Sequence, residues 1–285
     1  MRPFVDDRAA MAMWDIASPA RPSRVPGVTM AGFRDRGVAP IDQLLVPHPA
    51  LTLVLDFGAG QPIVDDAAGQ QYRGSMVAGL GLGGAVRGHG ENIQCVQIRL
   101  SPVVAQAVLG VGPADLDGAV VALDDLWGRE AARIRERLSD ATSWADRFEL
   151  ADTLLARRYA AGSSIDAPVA WAWHRIVASR GLIRIDQLAT ELGWSRKRLW
   201  SRFHAQIGQP PKPAARLVRF DRAAHRLVAG HNAASVAADA GYTDQSHLHR
   251  DVLAFTGITP AAIAAEPFLT VDDLAWPTAT QAART

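Results

Sequence analysis

The sequence predicts an α+β, multidomain chain. A β-rich N-terminal half, a small sandwich or barrel followed by two helices, precedes an all-α domain that holds two helix-turn-helix motifs. Three observations carry that expectation. Short apolar runs punctuated by Gly and Pro fill residues 21–110, the pattern of a half-buried sheet. From about residue 113 the apolar positions recur at spacings of three and four, the period of a helix. Near the C-terminus one local plan occurs twice: a small residue, a glycine four positions later, then an apolar residue that locks a second helix. With 285 residues the chain has room for one to two cores.

Taken in order, residues 1 to about 20 are Ala-rich and weakly patterned, and read as a short helix or a leader. VTMAGF (28–33), ALTLVLDF (50–57), SMVAGLGL (75–82) and IQCVQIRL (93–100) each read as a strand. Gly79 to Gly90, GLGLGGAVRGHG, lacks the Lys-Ser/Thr of a phosphate loop, so a glycine-rich turn between strands is the expectation. His48, between two prolines, reads as a loop residue. His48 and His89 are too few for a His-based metal site in this half, and the single cysteine, Cys95, excludes a disulfide framework and reads as a small buried hydrophobe. Neither a Ser-His-Asp set nor a pair of catalytic carboxylates stands out, so no catalytic residue, metal or cofactor is expected.

Leu123 to Leu138 then reads as one helix with Leu126, Ile134 and Leu138 on one side. Ser143 to Tyr159 reads as another, capped by Ser143, with Trp144, Phe148, Ala151, Leu155 and Tyr159 on its apolar face. Ala160 to Pro168 has the small, polar composition of a linker. The expected units are residues 1–160, a linker at 161–168, an all-α domain at 169–264 and a tail at 265–285. The tail segment PFLTVDDLAW could dock on the body, at a place the sequence does not give.

The first helix-turn-helix plan spans Ile185 to Phe203. Leu188, Ala189 and Leu192 face inward from the first helix, Gly193 makes the turn, Ser195 caps the second helix, and Leu199 and Phe203 anchor it. Its outer side carries Arg196, Lys197, Arg198, Trp200, Ser201 and Arg202. In the second plan, Ser235 to Phe255, Ala237 and Gly241 repeat the spacing. Leu248 follows with one extra residue in the turn, and Asp244 or Thr243 caps the helix. Lys212 to Val228 reads as a helix joining the two. Charge is uneven in the same way. From Trp171 to Pro260 thirteen Lys and Arg stand against six Asp and Glu, whereas the rest of the chain has 17 against 23. A basic module joined to an acidic one is expected where only the first touches nucleic acid.

On these residues, about 168 to 264 resemble the DNA-binding domain of the AraC/XylS family of bacterial transcription regulators. The resemblance also rests on Gly208 with Pro210, Arg219 to Ala223, AADAGYTDQSHLHR and the ending FTGITP (Phe255 to Pro260). Tyr242 in place of the usual Phe and the Pro-rich QPPKP depart from the pattern without removing a helix. The lone cysteine counts against the related repair proteins, which use several. Implied by the resemblance are base-facing positions at Arg196, Lys197, Trp200 and Ser201 in the first recognition helix. In the second they are Gln245, Ser246, His247, His249 and Arg250. Arg and Lys suit guanine, Gln suits adenine, and Trp200 can pack on a thymine methyl or sugar unless it is a core aromatic. For His247 and His249 a phosphate contact is the alternative.

The resemblance further implies double-stranded DNA as partner, a cupin-like N-terminal sensor for a small-molecule effector, and a homodimer through the two helices at 123–159. The other reading for those helices is that their apolar faces cover the sheet. RNA polymerase is left open as a partner. With no membrane-length apolar run and no signal-peptide core at the N-terminus, a cytoplasmic protein is expected. The rival reading is an enzyme or ligand-modifying N-terminal domain carried on a DNA-binding module.

Overall fold

The computed structural model describes residues 13–81, 86–116, 118–264, 266, 269, 271–272 and 275–276. Two antiparallel sheets form the N-terminal half. The six-stranded sheet runs β1 (Trp14–Ala17), β2 (Val28–Asp35), β9 (Gln94–Leu100), β4 (Leu51–Asp56), β7 (Met76–Ala78), β10 (Val120–Ala122). The four-stranded sheet runs β3 (Ile41–Leu45), β8 (Val86–Gly90), β5 (Ile63–Asp65), β6 (Gln71–Arg73).

The four strands expected from sequence are β2, β4, β7 and β9, the middle of the larger sheet. Each side of that sheet has its own task. Leu51, Leu53 and Leu55 of β4, with Val96, Ile98 and Leu100 of β9, are fully buried against the helices. The alternate residues Thr52, Val54, Cys95 and Gln97 line a cavity on the sheet's other face. The expected leader or short helix is corrected at Trp14–Ala17, which pairs with β2 as an edge strand; residues 1–12 lie outside the described residues. The glycine-rich turn expected over Gly79–Gly90 is corrected at Val86–Gly90, which is strand β8 paired with β3; residues 82–85 lie outside the described residues.

Helix α1 (Pro102–Leu109), capped by Ser101, follows β9, and a 3-10 turn (Pro113–Leu116) follows α1. The single helix expected over 123–138 is two: α2 (Leu123–Trp127) and α3 (Arg129–Asp140). Gly128, at φ +52°, breaks the run where a side-chain-bearing residue would be strained. Trp127 anchors the break, its indole N–H donating to the carbonyl of Leu109 at 3.1 Å. Helix α4 (Trp144–Ala161) is capped by Ser143 as expected.

Ile134, Leu138, Phe148, Ala151 and Leu155 are all buried in the same core as the sheet. The apolar faces of α3 and α4 therefore cover the sheet rather than standing ready for a second copy; Tyr159 alone of the expected face is exposed.

The C-terminal half is helical: α5 (Ala167–Ala178), α6 (Ile185–Glu191), α7 (Arg196–Ile207), α8 (Pro211–Val228), α9 (Ala233–Asp239), α10 (Gln245–Thr256) and α11 (Pro260–Ile263). The segment expected as a linker is packed against its neighbours at Gly162 and Asp166. A Cβ on Gly162 would meet the carbonyl oxygen of Ala107 at 2.2 Å, and the Asp166 backbone N–H donates to Oε1 of Gln206 on α7 at 2.7 Å. No helix among the described residues is long and apolar enough to cross a membrane.

Candidate nucleic-acid interface

Helices α6 and α7 form the first helix-turn-helix unit. Leu188 and Ala189 of α6 are buried, Gly193 turns the chain at φ +63°, and the Ser195 hydroxyl accepts the backbone N–H of Arg198 at 3.2 Å. Leu199, Phe203 and Ile207 form the buried stripe of α7. Its opposite side is the surface of interest. Arg196, Lys197, Trp200 and Ser201 are all exposed, and Trp200, at 52% exposure, is no core aromatic. Its ring lies 5.1 Å from that of His204, one turn along.

Arg196 donates to Asp186 of α6 at 3.0 Å, an exposed pair that a phosphate or base can displace at little cost. Among the described residues Lys197 has no ion-pair partner. Arg198 is turned over the Trp194 ring at 4.7 Å, and Arg202 pairs with Asp166 of the linker, so neither joins Lys197 at the tip. At its far end α7 closes on Gly208, φ +90°, where a Cβ would meet the Pro113 carbonyl oxygen at 2.6 Å. The first recognition helix is thus held by the 3-10 turn of the N-terminal half.

Helices α9 and α10 repeat the arrangement. Gly241 turns at φ +73°, and the Asp244 carboxylate, rather than Thr243, caps α10 by accepting the His247 N–H at 2.7 Å. Leu248 and Val252 are fully buried. Gln245, Ser246, His249 and Arg250 are exposed. His247 is half-buried, its ring edge-on to Tyr242 at 5.2 Å, and so is the most constrained of the nine sequence-derived positions.

The element joining the units is α8, eighteen residues from Pro211. Pro211 and Pro213 fit its first turn, where no N–H is needed, so the Pro-rich loop starts the helix rather than disrupting it. At the standard rise α8 spans about 27 Å. The second unit is clamped to it. Phe220 stacks on Phe255 at 4.6 Å, Arg216 donates to the buried Asp251 at 2.8 Å, and Arg226 pairs with Asp239 at 2.7 Å. Asp251 and Asp239 are therefore fixed in position by the connecting helix. Sequence periodicity alone did not single them out, because their partners lie on another helix.

Residues 188–266 match the family model of a helix-turn-helix domain. This is a DNA-binding domain of the AraC/XylS type. With the AraC-type domain comes the coarse function: the chain is a DNA-binding transcription regulator. No curated protein matches the sequence. Among solved structures the chain is similar to ToxT from Vibrio cholerae, at 12% identity over 85% of this chain and 98% of that one, with a TM-score of 0.48. It is also similar to unsaturated fatty acid bound ToxT from Vibrio cholerae, at 10% identity over 86% and 96%, TM-score 0.45. The AraC-like transcriptional activator CuxR is similar at 18% identity over 71% and 85%, TM-score 0.27.

A second feature accompanies the AraC-type domain, in the other half of the chain. Between the two sheets lies a mostly apolar cavity of about 150 Å³, lined by Phe33, Val54, Met76 and Cys95 among others. Burial pushes the Cys95 thiol up to about 12, so it is an inert wall rather than a nucleophile. His48 sits in a loop as expected, yet it lines this cavity, with Nε2 3.2 Å from the Thr52 hydroxyl. Burial, then the Arg99 charge, lowers its pKa to about 3, which keeps the ring neutral. His89 lies at the rim, 2.9 Å from Asp65. Among the described residues no three His, Cys, Asp or Glu gather as a metal site would require.

Proposed function

We propose that this chain is a sequence-specific regulator whose α7 and α10 enter adjacent major grooves on one face of duplex DNA. The residues in contact are Arg196, Lys197, Trp200 and Ser201 from α7, and Gln245, Ser246, His247, His249 and Arg250 from α10. The observation that carries this reading is the duplication: two capped helices, each with a buried apolar stripe and an exposed polar one, on a single rigid connector. Phosphate contacts from Arg, Lys and helix N-termini supply affinity, and the two exposed stripes supply sequence choice.

The division of labour follows the expected boundaries, a sensor at 1–160, a linker at 161–168, the reader at 169–264 and a tail at 265–285. The cavity between the sheets receives a small-molecule effector, which shifts the population of DNA-competent arrangements. An apolar enclosure with few polar groups is the usual form of such a site. We place the protein in the cytoplasm as a regulator rather than an enzyme. If it works as a homodimer, the contact uses the polar outer sides of α3 and α4, because their apolar sides are already buried.

Single substitutions test the contacts. Lys197→Ala and Gln245→Ala each relax preference at particular base positions by about 1–3 kcal/mol for a bidentate contact. Fluorescence anisotropy on a set of single-base operator variants measures this. Retention of the full preference by either variant removes that residue from the interface.

A further inference from the structure

Arg99 follows Cys95 and Gln97 at alternate positions of β9, on the cavity side of the sheet. Its guanidinium is mostly buried, and its counter-charge comes from the far end of the chain. Asp272, only 3% exposed, accepts from Nη2 of Arg99, and its other oxygen lies 3.0 Å from Nε2 of His225 on α8. The second ring nitrogen of His225, Nδ1, lies 2.8 Å from the carbonyl oxygen of Asp221. Both nitrogens face acceptors, so both carry hydrogens and the ring is an imidazolium. Burial works against that charge, but Asp272 and Asp221 outweigh it and hold the His225 pKa at about 10.

Trp276 completes the plug. Its indole covers the Arg99 guanidinium at 3.8 Å and lies 5.7 Å from the Phe33 ring, while Val271 and Ala275 are buried in the same cluster as Trp14 and Cys95. The fit is incomplete: the indole N–H is buried without an acceptor, a standing cost to docking. The remaining 150 Å³ is room for a single benzene-sized ring. Lifting Asp272 and Trp276 out together would extend that apolar space and leave Arg99 without its anion. A neutral occupant could not repair that loss, because it would leave the buried Arg99 cation without a counter-charge.

We infer that Val271, Asp272, Ala275 and Trp276 are the chain's own stand-in for an effector, and that the effector is a carboxylate on a flat apolar body. Such a ligand takes Arg99 from Asp272 and the space of the indole. It thereby cuts the tie from the sensor, through Asp272, to His225 on the helix that spaces the two recognition helices. This rests on the reading of the cavity as an effector site.

The test uses the full chain with naphthalene-2-carboxylate and its neutral amide as probes. The acid should bind about tenfold tighter than the amide, the worth of one charge-assisted contact, and Arg99→Gln should erase that difference. Asp272→Asn, close to isosteric, should bind the acid about tenfold tighter than the parent, because the internal competitor is weakened. Trp276→Phe should shift affinity in the same direction and guards against a folding artefact in the first variant. Chymotrypsin cleavage at the tail, followed by intact mass, should accelerate when the acid is added. If the acid binds the parent and Asp272→Asn equally and the tail stays protected, the competition is overturned while the effector cavity stands. If neither probe binds any variant although Asp272→Asn loosens the tail to protease, the tail is a permanent seal, and the inference and the effector reading fail together.

Discussion

Phe220→Ala should lower the stability of the chain by about 3–5 kcal/mol, the usual cost of emptying a phenylalanine site in a closed core. Phe220 is fully buried at the middle of α8 and stacks on Phe255 of the second recognition helix. The cavity falls where the connector meets a reading helix, so the second unit should loosen before the first. Urea denaturation followed by circular dichroism measures the loss. Hydrogen exchange should show α9 and α10 exchanging early while α6 and α7 stay protected. A loss under about 1 kcal/mol would mean the site collapses around the smaller residue, and that the stack is not what fixes α10.

Asp251→Ala should cost about 2–3 kcal/mol. That is below the roughly 3–5 kcal/mol for breaking a fully buried pair, because Arg216 is 38% exposed and water can partly replace its partner. Arg219 has less recourse. Its guanidinium is mostly buried, 3.8 Å from Asp251 and 4.8 Å over the Tyr242 ring, so removing the carboxylate strands a cation inside the unit. Asp251→Asn keeps the shape and one acceptor and should cost less. Equal unfolding midpoints for Asp251→Ala and the parent would show that the clamp contributes nothing.

These two sites also mark what sequence can and cannot show. The helix-turn-helix units were legible because their signals are local. Ala189, Gly193, Ser195 and Leu199 lie within eleven positions and specify a turn, a cap and a lock without reference to the rest of the chain. The strands at 28–33, 50–57, 75–82 and 93–100 were legible because they are short apolar runs that form the buried middle of a sheet.

The four-stranded sheet was not legible. β5 and β6 are three residues long, and β8 reads VRGHG; their register is imposed by neighbours rather than by their own pattern. Trp14–Ala17 is a strand because β2 offers an unpaired edge. The two helices at 123–159 showed an apolar face but not what it covers, and it covers the sheet. The tail's seat could not be read at all, since it depends on Arg99, His225 and Asp272, segments 173 and 47 positions apart.

All nine sequence-derived contact positions lie on α7 and α10; eight are exposed and His247 is half-buried against Tyr242. That placement fits the role proposed for them, and the central claim is that the two helices read DNA as a spaced pair. Selection of bound sequences from random duplex DNA tests it most directly. The expected motif has two blocks centred about 10–10.5 base pairs apart, one helical turn. Lys197→Ala should blur one block alone, and Gln245→Ala the other alone. A single compact block, or two that degrade together in either variant, would contradict the account.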